Sequence, residues 1–70
     1  MRFSRHALNE MRLYRISARD VAVVVHDPVS RRADERGNGR LTGETMDGRR
    51  ILVVLARDDP DFVITVFRQS

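Results

Sequence analysis

The chain has 70 residues, with 13 basic and 10 acidic side chains, a net charge of +3 and no cysteine. That length holds one domain, residues 1–70. Lack of cysteine excludes disulfides, thiolate metal sites and thiol nucleophiles, and it suits a reducing compartment.

A chain this short buries only about 60% of the surface its unfolded form exposes, so a homodimer or a complex with another small protein is expected. No apolar run approaches the roughly 20 residues that a membrane helix needs. Met1-Arg2-Phe3-Ser4-Arg5-His6 carries basic residues with no apolar stretch after them, which argues against a signal peptide. The expectation is a cytoplasmic protein with no membrane association. Every cation is arginine, the better residue for bidentate contact with phosphate, although genome base composition accounts for that usage more simply. Residues 1–19 hold five Arg against Glu10, a balance of +4, while residues 20–35 sum to −2. Residues 36–57 return to +3 and residues 58–70 to −2. This alternation permits a weak anionic partner without demanding one.

Phe3, Ala7, Leu8, Met11 and Tyr14 recur at spacings of three and four, predicting an amphipathic helix over about residues 4–14. Ser17 is an N-cap with Asp20 three residues on, opening a second helix over about 18–26 whose buried stripe is Val21, Val24 and Val25. His26-Asp27-Pro28 stops it. The period then changes. A charged edge strand is expected at about 29–34, a second strand at 39–46, and a hairpin turn at Asp47-Gly48. Ile51–Ala56 is apolar throughout and reads as a central strand, about 49–57, covered on both faces. Asp58–Asp61 is a polar turn in which Pro60 leaves the ladder, and the last strand covers about 62–68. The order predicts an α+β fold: two N-terminal helices on one face of a four-stranded antiparallel meander. A site then belongs on the opposite face or along the edge of the first helix.

The chemistry on offer is limited. His6 and His26 lie on different predicted helices, and no metal-ligand spacing is present. Gly37-Asn38-Gly39 joins two strands, so it is not a phosphate loop, and no nucleophile elbow occurs. His6, Glu10 and Tyr14, at i, i+4 and i+8, form a stripe with the minimum groups for acid–base work. An ordinary helix-surface pair explains the same spacing. Arg40, Arg49, Arg50, Arg57 and Arg68 can partly gather on the open sheet face to hold an RNA backbone, or simply line a solvated surface. Phe3, Phe62 and Phe67 read as core, which leaves no stacking platform. Thr65 shares its predicted face with Val63 and Phe67.

The succession His6-Ala7-Leu8, Met11, Ile16-Ser17, Val21, His26-Asp27-Pro28, a glycine-containing second strand, Ile51–Leu55 and Ile64-Thr65-Val66-Phe67 resembles domain-of-unknown-function family 4258. That family looks like a distant branch of the RelE- and BrnT-type toxin superfamily of small ribonucleases. The resemblance implies that His6 and Thr65 lie near a shared cleft. Glu10 and Tyr14 stand where family members commonly carry arginine, and Arg15 stands where they carry glycine. Arg12 and Arg15 are expected to replace the missing cations.

The resemblance further implies a toxin-type endoribonuclease of a toxin–antitoxin pair, working without metal or cofactor. His6 or Tyr14 would exchange protons with the reacting oxygens, with Thr65 nearby and Arg50 on the scissile phosphate. Arg12, Arg15, Arg40, Arg49 and Arg68 would contact RNA. Expected partners are an antitoxin protein, RNA or the ribosome, and a second copy of the chain. The alternative is a non-catalytic protein-interaction or homodimerisation module on the same fold.

Overall fold

Ser4 divides what the periodicity reads as one helix. Its backbone is extended, and its side-chain oxygen accepts the Ala7 N–H at 2.9 Å, which caps the helix that follows. In the computed structural model, which describes residues 1–69, helix α1 is therefore Arg5–Tyr14. Arg2–Phe3 becomes a strand, β1. Arg15 ends α1 in the left-handed region at φ 55°, where Ile16 N–H reaches back to the Met11 carbonyl at 2.8 Å. Helix α2, Ala18–His26, has the expected capping box. Asp20 N–H donates to Ser17 Oγ at 3.0 Å, and Ser17 N–H donates to Asp20 Oδ2 at 2.9 Å.

The remaining strands are β2 (Ser30–Ala33), β3 (Gly39–Glu44), β4 (Arg50–Ala56) and β5 (Asp59–Arg68). The sheet is five-stranded and mixed, in the order β1-β5-β4-β3-β2, with β1 parallel to β5. The expected four-stranded antiparallel meander is thus corrected by one short parallel strand. Arg2 and Phe3 pair with Phe62 and Val63, a partnership that local sequence does not encode. The β3–β4 hairpin is also wider than two residues, running from Thr45 to Arg49. Thr45 N–H donates to the Arg49 carbonyl, and Gly48 turns the chain at φ 85°.

The start of β5 differs too. Ala56 pairs with Asp59 and Leu55 with Val63, so Pro60, Asp61 and Phe62 form an excursion within β5. A residue without N–H is tolerated in such a break in the ladder, so Pro60 does not end the strand. A second irregularity follows, because Val54 pairs with Thr65, leaving Ile64 as an extra residue. The extra residue reverses the alternation of sides. Val63 and Val66 both point under the helices at 0% exposed, while Thr65 and Phe67 emerge on the other face. Thr65 and Val63 therefore do not share a face.

α1 lies over β5, and α2 over β3 and β4. Between helices and sheet sit Ala7, Met11, Ile16, Val21, Val24, Leu41, Ile51, Val53, Leu55, Val63 and Val66. Gly43 lets α2 approach closely, since a Cβ there would stand 3.2 Å from a Val24 methyl. The apolar stripe of α1 is narrower than its periodicity implies, with Leu8 48% exposed and Tyr14 37% exposed. No helix among the described residues is long and apolar enough to cross a membrane.

Candidate nucleic-acid interface

The helices cover only one side of the sheet. Leu52 and Val54 point to the other side, yet they are 6% and 8% exposed because neighbouring strands shield them. In register with Val54 stand Arg40 and Thr65, and Arg40 in turn faces Arg32 across β2. Leu52 is flanked by Thr42 and Phe67. Arg40, Thr65 and Phe67 line an open groove of about 640 Å³, with an apolar floor at Leu52, Val54 and Ile64 and the Asp34–Asn38 turn as its rim.

The rim is built from one carboxylate. Asp34 accepts the Arg36 and Asn38 backbone N–H groups, each at 2.8 Å, and the Asn38 amide at 3.1 Å. Burial pushes its pKa up, but the Asn38 and Arg36 hydrogen bonds outweigh that and hold the carboxyl below its usual range. Asp34 is consumed by this turn. Among the described residues, neither the Arg32 nor the Arg40 side chain has an ion-pair or hydrogen-bond partner. Two like charges placed directly opposite destabilise a strand pair, so the arrangement favours an incoming anion.

Two further groups mark the β5 side. Thr65 Oγ1 is buried against the groove with no hydrogen-bond partner. Phe67 is 42% exposed, and the His6 ring packs against it at 6.4 Å between centroids and 69° between planes. His6 thereby stands behind Phe67, which lines the groove, at the β5 edge that the two-residue β1 leaves uncovered.

The other residues named from sequence are not brought together there. Tyr14 is eight residues from His6, about 12 Å along the helix axis, so the His6–Glu10–Tyr14 stripe does not converge on one point. Arg12 and Arg15 are exposed around the end of α1, remote from the groove in the same sense. Arg50 does lie on the open face, but it sits across from Glu44 at 4.0 Å and two residues beyond Leu52, at the far end from Arg40. Arg68 stands in register with Ile51, on the helix-covered side.

Arg49 has a structural assignment. Its guanidinium donates to the Tyr14 carbonyl at 2.9 Å, to Asp20 at 3.1 Å and to Asp47 at 3.0 Å. It ties the end of α1, the start of α2 and the β3–β4 hairpin together. Asp47, bonded first by the Thr45 hydroxyl and then by Arg49, is held below the usual carboxylate range. Arg49 is thus occupied as a clamp between these three elements.

Arg32 and Phe67, also on this face, do not stand out in the sequence. Arg32 was readable only as one of several charges on an edge strand. By residue type Phe67 reads as core, because the Ile64 irregularity that sets its direction leaves no mark in the sequence.

A family model, domain of unknown function (DUF4258), matches residues 3–68, and the chain belongs to that family. Neither the curated proteins nor the solved structures yield a match.

Proposed function

Starting from that membership, we propose that the open sheet face binds an RNA backbone and that the chain is a metal-independent, toxin-type endoribonuclease of the RelE/BrnT kind. The observation that carries this reading is the cross-strand pair Arg32 and Arg40, without a carboxylate partner, on the face of a groove whose opposite side is lined by Phe67, against which the His6 ring packs. The two guanidiniums neutralise the bound phosphate and the charge that grows on it during transfer. His6 takes the proton from a ribose 2′-hydroxyl, and the 2′-oxygen bonds to the adjacent phosphorus. The bond to the 5′-oxygen breaks, and that oxygen takes a proton from water. The products are a 2′,3′-cyclic phosphate and a 5′-hydroxyl end. Tyr14 is too far along α1 to serve the same phosphate. An antitoxin protein is the partner this reading calls for.

The test combines expression with chemistry in vitro. Expression of the chain arrests growth and fragments cellular RNA, and His6→Ala abolishes both while RNA binding persists. Arg32→Ala and Arg40→Ala weaken binding and each lower the salt-dependence slope by about 1. Harmless expression with no RNA fragments counts decisively against cleavage.

One observation favours the second reading, an interaction or homodimerisation module. β1 pairs with β5 only at Phe62 and Val63, leaving the later part of β5 as a sheet edge beside the exposed Phe67. Sizing of the wild type against Phe67→Arg checks it, and a monomer in both cases removes it.

A further inference from the structure

We infer that Thr65 and Phe67 form a nucleobase subsite, so that the RNA taken by the groove is single-stranded, with one base unstacked onto Phe67. This rests on the RNA reading above and names its substrate class.

Phe67 is an aromatic ring left 42% exposed on a sheet face whose neighbouring apolar residues, Leu52 and Val54, are almost fully covered. His6 packs against it nearly at right angles, which restricts the ring and presents it as a platform. Any base offers a π-face to such a ring, so stacking there does not require a particular sequence. Two residues earlier on the same side, about 7 Å away along the strand, lies Thr65. Its buried hydroxyl has no partner, and it can both donate and accept a hydrogen bond. A polar base edge supplies what that hydroxyl lacks.

The cations complete the geometry. Arg40 stands in the same cross-strand row as Thr65, two strand spacings or about 10 Å away, within reach of a guanidinium on its stem. A phosphate attached to the nucleotide on Phe67 therefore meets Arg40 and, next to it, Arg32. The groove volume, about 640 Å³, lies in the range of about 300–1,000 Å³ typical of small-ligand sites. A duplex cannot use this site, because its bases are stacked on each other and only backbone and shallow minor-groove edges are presented.

The experiment measures fluorescence anisotropy of two labelled RNAs with equal phosphate number, one unstructured and one a hairpin duplex, against the full chain at several salt concentrations. The wild type prefers the single strand by about tenfold, and Phe67→Leu removes that preference while keeping the salt slope. Thr65→Val, nearly isosteric, weakens single-strand binding severalfold with no loss of thermal stability. Equal binding of single strand and duplex with a normal salt slope overturns the subsite alone. So does unchanged single-strand binding by folded Phe67→Leu. No binding of either RNA at low salt overturns the subsite together with the RNA reading beneath it.

Discussion

The two sides of this sheet are built from the same strands under different rules. Beneath the helices, Leu41, Ile51, Val53, Val63 and Val66 are each no more than 1% exposed, and even one glycine, Gly43, is used to bring α2 within contact distance. On the other side the strands alternate apolar floor with cations, a buried hydroxyl lacks a partner, and an aromatic ring stands half in solvent. Where stability is at stake, shape matching prevails. The open side instead keeps like charges adjacent and a donor unsatisfied, costs that a ligand can offset and that folding alone does not repay.

Five experiments sharpen or break that contrast. Leu41→Ala on the covered side costs about 2–5 kcal/mol through lost burial and a cavity, enough to leave so small a domain largely unfolded at room temperature. Urea titration followed by circular dichroism measures it. Arg49→Ala removes three attachments from a guanidinium whose side chain is 20% exposed, and it costs about 2 kcal/mol. RNA affinity per folded molecule stays unchanged, and a selective loss of affinity would return Arg49 to the interface.

Smaller effects follow. Arg15→Gly relieves the left-handed backbone at φ 55° and raises stability by about 1 kcal/mol, read as an increase in Tm. On the open side, Thr65→Val leaves stability unchanged or raises it by up to about 1 kcal/mol, because it deletes a buried hydroxyl with no partner. A loss above that size would mean that Thr65 supports the fold rather than a ligand.

The smallest effect is that of acid on the two turns. Asp34 and Asp47 both have folded pKa values below their ordinary ones. Their contribution is therefore present above the unfolded pKa of about 4 and is lost as pH falls through the lower folded values. Backbone hydrogen exchange in the two turns should rise below about pH 4 before the core responds. Asp34→Asn and Asp47→Asn should flatten that response.

Local patterns were legible wherever neighbours in sequence are neighbours in space. Ser17 and Asp20 announced the second helix, Ile51–Ala56 the central strand, and Gly48 the hairpin turn. Of the candidate site, His6, Thr65 and Arg40 could be singled out from motif and strand position; Thr65 and Arg40 line one groove, and His6 packs against Phe67 beside it. Arg49 could not be separated from Arg50. Only the approach of Tyr14 and Asp20, 35 and 29 residues away, turns one into a clamp while the other stays on the open face.

The order and type of the major elements follow from the sequence by itself, because periodicity, caps and turn residues act over a few bonds. The side on which each later β5 residue emerges was decided only by tertiary structure. One extra residue at Ile64, fixed by pairing with β4 and by the Ser4 hydroxyl donating to the Ile64 carbonyl, sends Val63 inward and Thr65 and Phe67 outward. A two-residue strand such as β1 has the same origin, since its hydrogen bonds exist only once a partner 60 residues away is in place.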